Sequence, residues 1–111
     1  MKVTLSPSVL RGEAAAVPSK SHAHRLLIAA ALSDAPCKVV CPAVSRDIEA
    51  TANCLAALGA KVSRTEDGYE VTPVAQPEER AVLDCGESGS TLRFLLPVAC
   101  ALGTKAPFTG Q

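Results

Sequence analysis

Short β-rich runs alternate along this chain with longer runs of helical period, and that alternation restricts the fold more than any single motif. Between Ser21 and Ser33, Leu26, Leu27, Ala30 and Ala31 fall on one helical stripe, which "SDAP" closes. "CKVVCPA" follows as a buried strand. Ser45 then offers an N-cap, Asp47 and Glu49 occupy the positive end of the helix dipole, and Ile48, Ala52, Leu55 and Gly59 keep helical spacing. Gly59 is a natural stop. "AKVSRT" and "GYEVTPV" read as a hairpin around Glu66, Asp67 and Gly68, and Ala75 to Arg80 as a loop.

After that loop the pattern starts again. "AVLDCG" is a strand, "ESGS" a tight turn, and "TLRFLLPVACALG" a helix with Leu92, Leu95, Leu96 and Ala99 apolar. Pro97 has no N–H for the carbonyl of Arg93, so a kink there or a later helix start is expected. "TKAPFTG" is a further strand. Two β-like pieces, "KVTL" and "EAAAV", precede all of this. The order is strand, helix, strand, helix, strand, strand, then strand, helix, strand: an α/β (α+β) chain with one βαβαββ unit and the start of a second. Repeated units need neighbours to finish burying a core, so the chain reads as a piece of something longer.

Composition excludes several classes of function. Hydrophobic residues make up 48% and charged residues 20% of 111, as in one ordinary globular domain, which buries roughly 65% of its unfolded surface. Eleven basic and eleven acidic side chains cancel, so a nucleic-acid or membrane surface is not expected and any anion site must be local. The five cysteines are odd in number and form no CxxC pair, which suits reduced cysteines acting as small hydrophobes in the cytoplasm. His22 and His24 form an HxH pair with no third ligand nearby, so no metal is expected. The apolar runs "LLIAAAL" and "FLLPVACAL" are too short to span a bilayer.

Two helix beginnings carry more than packing requires. Ser21 is followed four residues later by Arg25, and Gly89 four residues later by Arg93, so each arginine lies on the face of its helix start. A helix N-terminus presents free N–H groups and about half a positive charge, suited to phosphate or carboxylate. Lys20 and Arg25 make one start an anion clamp; "GESGST" makes the other a glycine-backed cradle. Plainer readings stand beside these: Ser19 or Ser21 as an N-cap, Lys20 and Arg25 as solvated charges, the glycines as a strand-to-helix turn. "GESGSTLR" lacks the lysine and spacing of a Walker A loop, which argues against ATP hydrolysis. Glu87 argues against a KH-type GxxG on nucleic acid.

"VPSKSHAHRLLIAAAL" resembles the N-terminal signature of the 5-enolpyruvylshikimate-3-phosphate synthase family, and "DCGESGSTLRFLLPVA" is similar to its second signature. "SRDIEATANCLAALGAKV" fits the helix between them. The resemblance implies the inside-out α/β fold of enolpyruvyl transferases. Residues 1–17 would be strands of the other half of the full enzyme, 18–76 the first βαβαββ unit and 77–111 the start of the second. It also implies a step of aromatic amino acid biosynthesis without metal or organic cofactor. The 5-hydroxyl of shikimate 3-phosphate attacks C2 of phosphoenolpyruvate, and phosphate leaves. Carried over by position, Lys20 would touch both substrates and assist proton movement, and Ser21 and Arg25 would hold shikimate 3-phosphate. Gly89 would line the phosphoenolpyruvate pocket, where the family meets glyphosate, with Ser90 and Arg93 beside it.

Some positions depart from the family pattern. Glu87 stands where Asn is common, Ser90 where many members have Thr, and Phe94 where some have Pro. The related UDP-N-acetylglucosamine enolpyruvyl transferases normally have Asn after the lysine, where this chain has Ser21. Their reactive cysteine would fall at or beyond Gln111. A non-catalytic anion-binding or interaction module is the other alternative. The missing remainder of the enzyme is the partner this reading expects, and the chain alone is expected to be inactive.

Overall fold

The computed structural model describes residues 1–111. Its elements are α1 (Lys20–Ala31), β1 (Cys37–Val40), α2 (Arg46–Ala57), β2 (Lys61–Thr65), β3 (Gly68–Thr72), β4 (Leu83–Asp84), α3 (Gly89–Leu102) and β5 (Phe108–Thr109). Each helix is started by a serine. Ser19, Ser45 and Ser88 accept from the backbone N–H of His22, Ile48 and Thr91 at 3.3, 3.4 and 3.1 Å, which satisfies one free donor per helix. Asp47 and Glu49 lie in the first turn of α2, as read from the sequence.

β1, β3 and β2 form a three-stranded antiparallel sheet with β3 in the centre. β1 and β2 are thus parallel to each other, joined by the α2 crossover, with β3 returned between them by the hairpin at Glu66 and Asp67. The register sets Val39 against Tyr69 and Val62 against Val71 on the side toward the helices. Lys38, Glu70 and Ser63 line up on the other. One face is therefore apolar and one polar, as period-two alternation requires. The second sheet is the parallel pair β4–β5, joined by α3.

α2 packs against both sheets and both other helices, so helices lie inside and strands outside. Its buried residues Ile48, Ala52, Cys54 and Leu55 belong to one core with Leu27 of α1, Val39 and Val71 of the first sheet, and Leu83 and Leu95 of the second unit. The Sγ of Cys54 donates to the carbonyl of Asp84 at 3.2 Å, which ties α2 to β4. The loop at 75–80 is held at the end of α2, where the N–H of Glu78 donates to the carbonyl of Leu58 at 3.1 Å.

Two expectations are corrected. "KVTL" and "EAAAV" do not form strands: residues 1–17 carry none, and no backbone hydrogen bond joins them to either sheet. A strand exists only as part of a ladder, and this segment finds no partner edge within the chain. The first unit thus runs α1–β1–α2–β2–β3. The second concerns one of the two outcomes expected at Pro97: the third helix does not start late. α3 begins at Gly89 and runs through the proline to Leu102, because Ser88 caps its start and Gly103, at φ 72°, closes its end in the left-handed conformation. Arg93 and Pro97 are both exposed, so water can reach the carbonyl that the proline leaves without a donor.

Candidate functional site

The three helices start at the same end of the molecule. Lys20, the first residue of α1, places Nζ 3.0 Å from Oδ2 of Asp47, the second residue of α2. Thr91, in the first turn of α3, places Oγ1 3.3 Å from the backbone carbonyl oxygen of that same Asp47. One residue of α2 therefore ties the lysine to the glycine turn. Three helix N-termini at one place concentrate partial positive charge, about half an elementary charge each, where an anion can reach it.

The arginine one turn into α1 is aimed the same way. Arg25 Nη1 donates to the carbonyl of Ser21 at 2.9 Å, and its guanidinium carbon lies 4.8 Å from the centre of the Phe94 ring on α3. Helical side chains lean toward the N-terminus, so this arginine folds back over its own helix start while the aromatic face of α3 fixes its plane. Phe94 thus anchors the first clamp from the second helix. Ser21, Ser90 and Arg93 are exposed, and Arg93 is in no ion pair.

The glycine turn separates two cavities. One, of about 340 Å³, is lined by Gly86, Glu87, Ser88, Gly89 and Leu92 and by Phe108 to Gln111. The other, of about 310 Å³, lies on the α2 side of the turn, against Arg46, Asp47 and Ala50. Gly86 turns the chain at φ 55°, and a Cβ on Gly89 would meet no heavy atom within 4 Å. Among the residues expected from the sequence, Gly89 lines a cavity and Lys20 reaches the wall of the other through Asp47. Ser21, Arg25, Ser90 and Arg93 line neither. Glu87 lines both and is in no ion pair.

Behind the turn lies a group of polar side chains whose grouping the sequence does not reveal. His24, Thr51, Thr91 and Ser88 are all buried and hydrogen-bonded in series. They are 27 and 40 residues apart in sequence at the helix crossings, so no local pattern groups them. Burial pushes the pKa of His24 down, with Lys20 and Arg25 acting in the same sense and Asp47 opposing them. Burial likewise pushes the thiol of Cys54 up to about 12, with Cys85 adding to it, so Cys54 is a thiol packed as a small hydrophobe. No group of three or more His, Cys, Asp or Glu is placed to hold a metal ion, and no helix is long and apolar enough to cross a membrane.

A family model described as EPSP synthase (3-phosphoshikimate 1-carboxyvinyltransferase) matches residues 5–111. A 3-phosphoshikimate 1-carboxyvinyltransferase of Clostridium beijerinckii is 43% identical over 113 aligned positions, covering 95% of this chain and 26% of that protein. Proteins of the same name from Clostridium perfringens and Halobacterium salinarum are 38% and 40% identical, over 99% and 100% of this chain and again 26% of their own length. The chain thus spans about a quarter of the length of these curated relatives. Taken with helices that lie inside two sheets and begin at a common end, the match over nearly the whole chain establishes that it belongs to the EPSP synthase family.

Proposed function

We propose that this chain forms one wall of an enolpyruvyl transferase site that joins phosphoenolpyruvate to shikimate 3-phosphate. The shikimate 5-hydroxyl adds to C2 of phosphoenolpyruvate while C3 takes a proton. The hydroxyl gives up its own proton in that step, and the tetrahedral adduct then loses one proton from the new C3 methyl as the C2–O bond to the departing inorganic phosphate breaks, leaving the enol ether. Both substrates are phosphorylated carboxylates, so the site must supply converging cations and N–H donors, and these grow in value as charge develops on the departing phosphate. The observation that carries the reading is the link Lys20–Asp47–Thr91, which holds the lysine of one signature beside the glycine turn of the other.

In this reading Lys20 contacts both substrates, and Ser21 and Arg25 grip shikimate 3-phosphate, with Arg25 suited to a two-point hold on its carboxylate. Gly89, Ser90 and Arg93 serve phosphoenolpyruvate. Two or three charge-assisted hydrogen bonds of about 1.5–3 kcal/mol each barely offset an association cost of about 4–15 kcal/mol. The chain alone therefore binds weakly and turns nothing over, and residues outside it complete the site. Residues 1–17 pack with that other part of the enzyme. Five unpaired thiols suit a reducing, cytoplasmic setting.

An amide NMR titration with shikimate 3-phosphate tests this directly. Shifts concentrated at Lys20 to Arg25 and at Ser88 to Arg93 are expected. Shifts confined to other parts of the chain would overturn the reading.

A further inference from the structure

A line of buried side chains leads from α1 to the glycine turn. Nδ1 of His24, 2% exposed, lies 2.7 Å from Oγ1 of Thr51 on α2. That oxygen lies 2.8 Å from Oγ1 of Thr91 on α3, and Thr91 Oγ1 donates to Ser88 Oγ at 2.7 Å. Ser88 is 5% exposed and lines both cavities.

Counting hydrogens gives this line a direction. A hydroxyl has one hydrogen to donate and two lone pairs to accept with. Ser88 Oγ accepts the Thr91 N–H at 3.1 Å as well as the Thr91 hydroxyl, so both lone pairs are engaged and its own hydrogen is spare. No protein acceptor takes that hydrogen. The single hydrogen of Thr91 is directed at Ser88, with the Asp47 carbonyl a longer second acceptor at 3.3 Å, so the contact with Thr51 requires Thr51 to donate. The contact between Thr51 and His24 then requires the hydrogen on Nδ1. Burial favours neutral His24, which carries one ring hydrogen. With that hydrogen on Nε2 every bond in the line reverses. Ser88 then donates inward to Thr91, and the cavity loses a donor.

We propose that the Ser88 hydroxyl donates to a phosphate or carboxylate oxygen in the cavity beside Gly89, and that His24 and Thr51 are positioning residues that set its hydrogen. An anion in the cavity and the Nδ1–H form of His24 then favour each other. The enolpyruvyl-transfer reading enters only in naming the anion as that of a substrate.

The test uses the chain with 15N-labelled histidine and inorganic phosphate as the probe. Adding phosphate should shift the Gly89 and Ser90 amides and move His24 toward the Nδ1–H form. Thr51→Val, which keeps the shape of the side chain but lacks the hydroxyl, should weaken phosphate binding about tenfold and leave the His24 tautomer unresponsive. Thr51→Ser should restore both. Ser88→Gly, which costs the helix cap only a few tenths of a kcal/mol, should lose the same affinity. It provides the answer should Thr51→Val not fold. The proposal is overturned if His24 stays Nε2–H with phosphate bound, if Thr51→Val or Ser88→Gly binds phosphate as well as the parent, or if about 100 mM phosphate moves neither amide. The functional reading fails separately, if phosphate gives the expected response but phosphoenolpyruvate and shikimate 3-phosphate bind no better than phosphate.

Discussion

Replacing Gly89 by alanine should leave the fold intact and harm the site. Gly89 is the first residue of α3, its φ is negative, and a Cβ there meets nothing within 4 Å. Alanine is favoured over glycine in a helix by roughly 0.5–1 kcal/mol, and at the first turn the lower figure applies. In a domain of this size about 0.5 kcal/mol raises the melting temperature by about 2–3 °C. The open space around the new methyl belongs to the cavity proposed for phosphoenolpyruvate, so binding of that substrate should weaken by about tenfold or more, while shikimate 3-phosphate still shifts Lys20 to Arg25. Gly59→Ala is the control with the opposite sign. Its φ is +119° and its Cβ would stand 2.8 Å from the carbonyl oxygen of Gln76, so strain of about 1–3 kcal/mol should lower the melting temperature by about 5–15 °C. Thermal melts followed by circular dichroism, with an NMR titration of each folded variant, check both. Gly89→Ala melting as low as Gly59→Ala, or binding phosphoenolpyruvate as the parent does, would refute the reasoning.

Other consequences are as direct. Leu27 is completely buried in the middle of α1, so Leu27→Ala should cost about 2–5 kcal/mol, read as a lowered urea midpoint. Glu87→Gln removes an unpaired carboxylate that faces both cavities. Phosphate binding should tighten by about fivefold at low salt, the equivalent of about 1 kcal/mol at 4 Å in water, with the gain fading at high salt. Burial lowers the pKa of His24 below its ordinary 6.5, so as pH falls through that value the unfolded chain takes up the proton first. Stability is therefore full above pH 6.5, falls below it, and stops falling from this source once the folded-state pKa is passed. The urea midpoint should drop on acidification in the parent and drop less in His24→Asn.

Much of this architecture was legible because its signals are local. Ser45 with Asp47 and Glu49 marks a helix start by side-chain chemistry alone, and Glu66-Asp67-Gly68 marks a hairpin between two β-rich runs. What depended on distant partners was not legible. "KVTL" and "EAAAV" have strand composition, yet strand formation depends on pairing with a second strand, and neither piece pairs with any strand of this chain. Pro97 is a helix breaker by local rule, yet the cap at Ser88 and the packing of Leu95 and Ala99 carry α3 through it. At the site, Lys20, Arg25 and Gly89 stand out by motif, whereas Asp47 was read only as a dipole-matching acid and is in fact the joint between two helix starts. His24, Thr51 and Thr91 come together through three-dimensional packing, and their spacing in sequence carries no trace of it.

The central claim is that Lys20 and the glycine turn belong to one enolpyruvyl transfer site. The most direct measurement is phosphate release from phosphoenolpyruvate and shikimate 3-phosphate when this chain is combined with the rest of an EPSP synthase. The account predicts release with the parent chain and a loss of at least about 100-fold with Lys20→Met. Because Lys20 is exposed and its ion pair contributes about 1 kcal/mol at most, that variant should remain folded. A folded Lys20→Met chain that supports full phosphate release would contradict the account.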